Sequence, residues 1–170
     1  MATSRKKVIV RLHDQTVHAG YLPASDLLRH ATRTVELLDP AGRIHSIPLS
    51  AIRLIAFVRD FNLDDPRAPE RLLRTTFLAR PRTEGLWVRL TFTDSEVLEG
   101  LATLDLSLLD DILKDEGIYL IPPDVRSNTQ RLFIPRAAIS TLTLLGVITN
   151  PSKSATKLPA SIPELPFPEV

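Results

Sequence analysis

Apolar and polar positions alternate near the start of the chain, where Val8, Val10 and Leu12 are interleaved with Ile9, Arg11 and His13. A two-residue period predicts a β-strand, because successive side chains point to opposite faces of a pleated ribbon. The alternation returns at Val88, Leu90 and Phe92, interleaved with Arg89, Thr91 and Thr93. In each place a short polar stretch built on an aspartate follows, His13-Asp14-Gln15-Thr16 or Thr93-Asp94-Ser95-Glu96, and predicts a tight turn. A second strand then runs to Gly20 or Gly100, where a glycine marks the sharp bend a small barrel needs. Next come two hairpins, TVELLDPAGRIHSIPL with its turn at Asp39-Pro40-Ala41-Gly42 and GIYLIPPDVRSNTQRLFIP with a longer turn. A last apolar strand, AIRLIAFV or AISTLTLLGVI, finishes each stretch.

These stretches are two copies of one unit. Residues 8–20 align with 88–100 at an offset of 80, and IPLSAIRLI (47–55) aligns with IPRAAISTL (134–142) at an offset of 87. So long a period indicates a duplicated small domain rather than a solenoid. The second copy therefore carries seven extra residues, which a short helix accounts for. Ser107 caps it, Leu108, Leu109, Ile112 and Leu113 fall on one face, and Gly117 stops it. Between the copies, Asp64-Asp65-Pro66 predicts a helix through Arg74, with Pro81 closing the linker. The expected division is a first barrel over 1–64, an Arg-rich linker over 65–82, a second barrel over 83–149 and a Pro-rich, disordered tail over 150–170. The fold class is mainly β: two tandem Sm-like or SH3-like five-stranded barrels with short helices in the linker and second repeat. Val8, Val10, Leu12, Val35, Leu37 and Ile52 should fill the first core, and Val88, Leu90, Phe92, Ile118, Leu120 and Ile139 the second.

The order of a strand ending in a polar turn, a strand to a glycine, a hairpin and an AIS-type last strand resembles the Sm-like family, including the bacterial Hfq-type RNA chaperones. FIPRAAIST (133–141) is the closest stretch. The tandem arrangement, with LIAFVRDF (54–61) and EGLWVRLTF (84–92), is similar to tandem proteins of an uncharacterised bacterial family. The resemblance implies RNA as a ligand and ring assembly through fourth and fifth strands. The chaperones' uridine-contacting Tyr-Lys-His run is replaced here by Pro135-Arg136-Ala137 and Pro48-Leu49-Ser50, so only Arg136 offers a basic contact.

Composition narrows the chemistry. The 170 residues contain no cysteine, which removes disulfides, thiolate metal sites and cysteine nucleophiles. Lys+Arg 21 against Asp+Glu 20 gives no global electrostatic case for a polyanion. Aromatics at 5% suggest no stacking platform, and no apolar run is long enough to cross a membrane. The expectation is a cytoplasmic protein without cofactor or metal. The four histidines (His13, His18, His30, His45) lack any metal-ligand spacing, and neither a nucleophile elbow nor a phosphate loop is present. No enzyme is indicated.

The linker holds Arg67, Arg71, Arg74, Arg80 and Arg82 against Glu70 alone, the first three on one face of the expected helix. With Arg136 they form a candidate nucleic-acid or phosphate site, since guanidinium groups fork onto phosphate. The alternative is that they pair with the acidic 110–116 helix or simply solvate the linker. Arg67 and Arg71 also fit the RxxxR of cyclic-di-GMP-binding PilZ barrels, but Asp110 stands where that family's second motif needs glycine. The leading expectation is a non-catalytic module binding RNA or another phosphate-bearing ligand. The competing one is an oligomerisation scaffold whose Pro-rich tail recruits a protein. Last strands apolar on both faces need cover, which predicts a closed homo-oligomer, with a six-barrel ring of three chains favoured.

Overall fold

A computed structural model describes residues 5–23, 27–29, 31–105, 109, 113–114, 116–124 and 126–149. The expected helix over 107–116 lies largely outside them, as does the Pro-rich tail from Asn150. The architecture is mainly β. The first copy supplies β1 (Lys6–Leu12), β2 (Val17–Leu22), β3 (Thr34–Leu38), β4 (Ile44–Pro48) and β5 (Ile52–Val58). The second supplies β6 (Gly85–Phe92), β7 (Val97–Ala102), β8 (Gly117–Leu120), β9 (Thr129–Pro135) and β10 (Ile139–Ile148). Single 3-10 turns at Leu49–Ala51 and Arg136–Ala138 precede the last strand of each copy, and Pro48 and Pro135 lead into them.

The duplication extends to individual hydrogen bonds. Val8 pairs with Gly20 and Val88 with Gly100. The Asp14 carboxylate accepts from the Thr16 amide and Asp94 from that of Glu96, while Gln15 and Ser95 take left-handed backbone angles of 71° and 73°. Each last strand bulges at the equivalent residue. Leu12 pairs with Ile52 and Arg11 with Leu54, passing over Arg53; Phe92 pairs with Ile139 and Thr91 with Thr141, passing over Ser140. The two strand-two glycines also do one job. A Cβ on Gly20 would sit 2.6 Å from the Leu38 carbonyl oxygen, and one on Gly100 would sit 2.9 Å from the Leu120 Cβ. In both copies the third strand crosses too closely for any side chain.

Neither copy closes into a barrel of its own. The sheets are a seven-stranded one in the order β4-β3-β2-β1-β5-β9-β8 and a three-stranded one in the order β10-β6-β7. A single Leu101–Ile121 bridge links β7 to β8, matching the single Tyr21–Leu38 pair between β2 and β3. The joint between copies is β5 against β9, with Ile55 opposite Phe133, Ala56 opposite Leu132 and Phe57 opposite Arg131. A fifth strand of one copy thus pairs with a fourth strand of the other.

This joint explains why β5 is apolar on both faces. Ile52 and Ile55 pack with Val8, Val10, Val35 and Leu37, and Phe133 from the second copy completes that cluster. Leu54, Ala56 and Val58 pack on the other side with Val88, Leu90, Phe92, Leu120 and Ile134. Ten of the twelve expected core residues are buried; Leu12 and Ile139 are half-buried at the mouths of their turns.

The expected linker helix is absent, since residues 64–74 form turns and extended chain and Arg71 takes a φ of 48°. Specific side chains pin this segment instead. Asn62 and Asn128 both donate side-chain amide hydrogen bonds to the Pro69 carbonyl, and the Thr129 hydroxyl donates to the Glu70 carbonyl. Those anchors capture the backbone groups a helix would have paired internally. Glu70 turns inward to a buried ion pair with Arg11 at 2.6 Å, while a second hydrogen bond runs from Arg11 to the Arg67 carbonyl. Among the described residues, no helix is long and apolar enough to cross a membrane.

A candidate ligand cleft at the junction of the repeats

The β5–β9 joint leaves a hollow of about 490 Å³ beside it. β1 brings Lys6 and Lys7 to its rim, β5 brings Phe57, β8 brings Tyr119, and β9 brings Gln130 and Arg131. Leu101, Leu120, Ile121 and Val58 make its apolar floor. The Arg131 guanidinium carbon lies 4.0 Å from the centre of the Tyr119 ring, and the Lys6 ammonium 5.9 Å from that of Phe57. Phe57 and Tyr119 are 6.3 Å apart, and Tyr119 packs on Phe133 at 4.9 Å. Three cations and two aromatic rings therefore share one hollow, and among the described residues no carboxylate lines it. An apolar bed with a few cations on one side suits a ligand that is part planar ring and part anion.

The rings come from strands distant in sequence, so composition alone does not show that they share a hollow. Few aromatics suffice when the topology gathers them. Phe57 faces the cleft because it lies directly opposite Arg131 in the joint register. Sequence alone does not single out Arg131, and in it Lys6 and Lys7 read only as a basic opening. The available signal is the doubly apolar β5, which says that both of its faces are covered.

A second set of charges locks the copies together. Arg53, on the β5 bulge, is buried, donates to Asp94 at 2.9 Å and pairs with Glu96, and its guanidinium stacks 3.9 Å from the centre of the Phe92 ring. That side-chain hydrogen bond is the main reason the Asp94 carboxyl titrates below the usual aspartate value. Glu99 is buried too. Burial pushes its carboxyl up, but hydrogen bonds from the Phe77 amide, Arg89 and the Trp87 indole outweigh that and leave it lowered. An acid with a lower pKa in the folded state adds stability above its unfolded pKa and loses it as pH falls through the folded value. Unfolding free energy should therefore drop between about pH 5 and about pH 3, and Asp94→Asn should drop less, by up to about 1 kcal/mol because Asp94 is 41% exposed. Urea titrations at both pH values check this; equal drops would remove Asp94 as a contributor.

Residues 4–146 match a family of unknown function, DUF6982. The chain belongs to that family. No curated protein and no solved structure matches it. Within this DUF6982 chain the expected arginine site is not assembled as one face. Arg67, Arg71, Arg74, Arg80 and Arg82 are all exposed on irregular backbone, so the helical spacing that aligned the first three does not operate. Arg80 reaches the Val147 carbonyl at the end of β10 at 3.4 Å. Arg136 donates to the Ile139 carbonyl at 3.3 Å and lines a separate, smaller hollow with Arg33 and Glu116. Asp110, Asp111 and Asp115, the expected acidic counterparts, lie outside the described residues, as do Ser107 and His30. The His18 and His45 rings lie 5.9 Å apart and tilted, and His45 bonds Asp39 at 2.8 Å. No group of three or more potential metal ligands occurs among the described residues.

Proposed function

We propose that this DUF6982 chain is a non-catalytic module of two Sm-like units fused through the β5–β9 joint, and that its cleft binds single-stranded RNA. One base stacks on the Arg131–Tyr119 pair while Lys6 and Lys7 take flanking phosphates. The observation that carries this is the coincidence of three cations and two rings in one hollow that no carboxylate lines among the described residues. Unpaired bases commonly stack on aromatic rings or guanidinium planes, and lysines position the backbone. The strand order supports the Sm-like part, since both copies repeat the same neighbours in the same sequence. A ring of three chains, six copies in all, is the assembly that follows, inside the cell's cytoplasm.

Filter binding of a short single-stranded RNA across a salt series tests the ligand. The triple variant Lys6→Ala/Lys7→Ala/Arg131→Ala should bind at least tenfold more weakly. Its log–log salt dependence should flatten by about 0.7 for each phosphate it no longer neutralises. Arg71→Ala with Arg74→Ala should leave both unchanged. No RNA binding by the parent at low salt, or weakening confined to the linker pair, would refute the cleft as the site.

A further inference from the structure

The cleft does not use the arginine-rich segment between the copies, and that segment has a definite place in the fold. Residues 75–80 run across one face of the β10-β6-β7 sheet. The Thr75 carbonyl accepts from the Glu99 amide of β7 at 2.6 Å. Phe77 lies edge-on to Trp87 of β6 at 6.2 Å, and Arg80 reaches the Val147 carbonyl of β10. Trp87 and Arg89 alternate with Val88 and Leu90, which turn to the core, and Glu99 lies directly opposite Arg89. The segment is therefore a strap over the outer face of that sheet. Its centre is pinned by the Phe77 amide, which donates to the buried Glu99 carboxylate at 2.9 Å.

Two pairs of adjacent residues on this strap divide between inside and outside. Leu72 packs against the core cluster, whereas Leu73 beside it is 81% exposed. Phe77 packs on Trp87, whereas Leu78 is also 81% exposed. Both leucines thus stand away from the body of the protein. Arg71, Arg74, Arg80 and Arg82 flank them, all exposed, and residues 71–83 contain no Asp or Glu. Among the described residues none of these four arginines enters an ion pair. Single exposed leucines are ordinary on protein surfaces. Two of them on one anchored strap, interleaved with four unneutralised guanidinium groups, call for a partner that is both apolar and anionic.

From this arrangement we infer that the strap docks on an anionic lipid bilayer, with Leu73 and Leu78 entering the acyl boundary and the arginines holding headgroup phosphates. A nucleic acid would satisfy the guanidinium groups, which fork onto phosphate oxygens, but would leave the leucines in water. A leucine four-fifths exposed projects from the surface rather than lining a groove. It suits a medium that deforms around it better than a protein that must carry a matching hollow. Interfacial binding of this kind grows with the apolar area inserted and with the attraction of cations to anionic headgroups, so both residue types are required. Two leucines make the contact peripheral and reversible. The cleft takes no part in it.

Vesicle co-sedimentation of the full chain tests this. The parent should pellet with vesicles of phosphatidylcholine containing about one-third phosphatidylglycerol, and not with phosphatidylcholine alone. Arg71→Ala/Arg74→Ala/Arg82→Ala should weaken binding about a hundredfold, and Leu73→Ser/Leu78→Ser about tenfold. The serine variant should keep the parent's thermal midpoint and its RNA binding, which separates this inference from the cleft reading. Because the chain has no cysteine, an environment-sensitive dye on Leu78→Cys reports depth directly. It should shift to the blue and be quenched by spin-labelled lipid, whereas the same dye on Ala41→Cys, in the exposed β3–β4 turn, should do neither. Three results would overturn the inference: no pelleting of the parent at low salt, equal pelleting of the parent and the serine variant, or an unquenched dye at position 78. Binding to soluble poly-glutamate without binding to vesicles would overturn it too, and would make an acidic chain the partner.

Discussion

Phe133→Ala should lower the unfolding free energy by about 3–5 kcal/mol, the range for truncating a buried aromatic. Phe133 belongs to the second copy in sequence but to the first copy's core in space, where it packs with Ile55, Val8 and Val35 at 3% exposure. Its ring also lies against Gly117, where an added Cβ would come 2.7 Å from the ring's tip, and it supports Tyr119 from behind. No neighbouring side chain can fill the void, because strand pairing on both sides of β9 fixes the backbone. A domain of this size is stable by about 5–15 kcal/mol, so the loss is a large share of the total. Urea denaturation followed by tryptophan fluorescence and by far-ultraviolet dichroism measures it. The parent should unfold in one coincident transition, since β5 contributes to both cores and neither copy is complete without the other. Two separate transitions in the parent, or a loss below about 1 kcal/mol in the variant, would mean that the copies are independent.

Arg11→Ala should cost a comparable amount by a different route. Arg11 and Glu70 are 11% and 8% exposed at the side chain, with the Arg11 Nε 2.7 Å from Glu70 Oε1. The second carboxylate oxygen, Oε2, has no hydrogen-bond partner among the described residues. Removing the guanidinium leaves a buried carboxylate without a counter-charge, a loss of about 3–5 kcal/mol. It also frees the Arg67 carbonyl and loosens the segment between the copies. Replacing both partners, Arg11→Met with Glu70→Leu, should recover most of the loss, because apolar pairs of similar volume often match a buried ion pair. A double-mutant cycle in urea decides the case. If the double variant is no better than Arg11→Ala, the deficit comes from the missing packing of the arginine stem rather than from an orphaned charge.

Such couplings show where sequence alone is sufficient. Period-two alternation, the aspartate turns and the Gly20/Gly100 match are local or repeat-based signals, and each corresponds to an element or contact in the fold. The expected linker helix does not form, for a non-local reason: Asp64-Asp65-Pro66 can open a helix, but the Asn62, Asn128 and Thr129 side chains bind the following backbone first. Two of those three lie more than fifty residues away along the chain, and no spacing rule reaches that far.

By itself, then, the sequence determined the strand content, the duplication and the identity of most core residues, because these depend on side-chain alternation and on matching one stretch of chain to another. It also showed that β5 and β10 are both apolar on two faces, without saying which face meets what. Only the tertiary structure decided that β5 is flanked by β9 and that β10 has one strand neighbour among the described residues. Only there do Phe57, Tyr119, Lys6, Lys7 and Arg131 meet in one cleft. The reason is physical: strand alternation fixes the direction of each side chain relative to its own strand, whereas the neighbour across a sheet is chosen by the total apolar area that pairing buries.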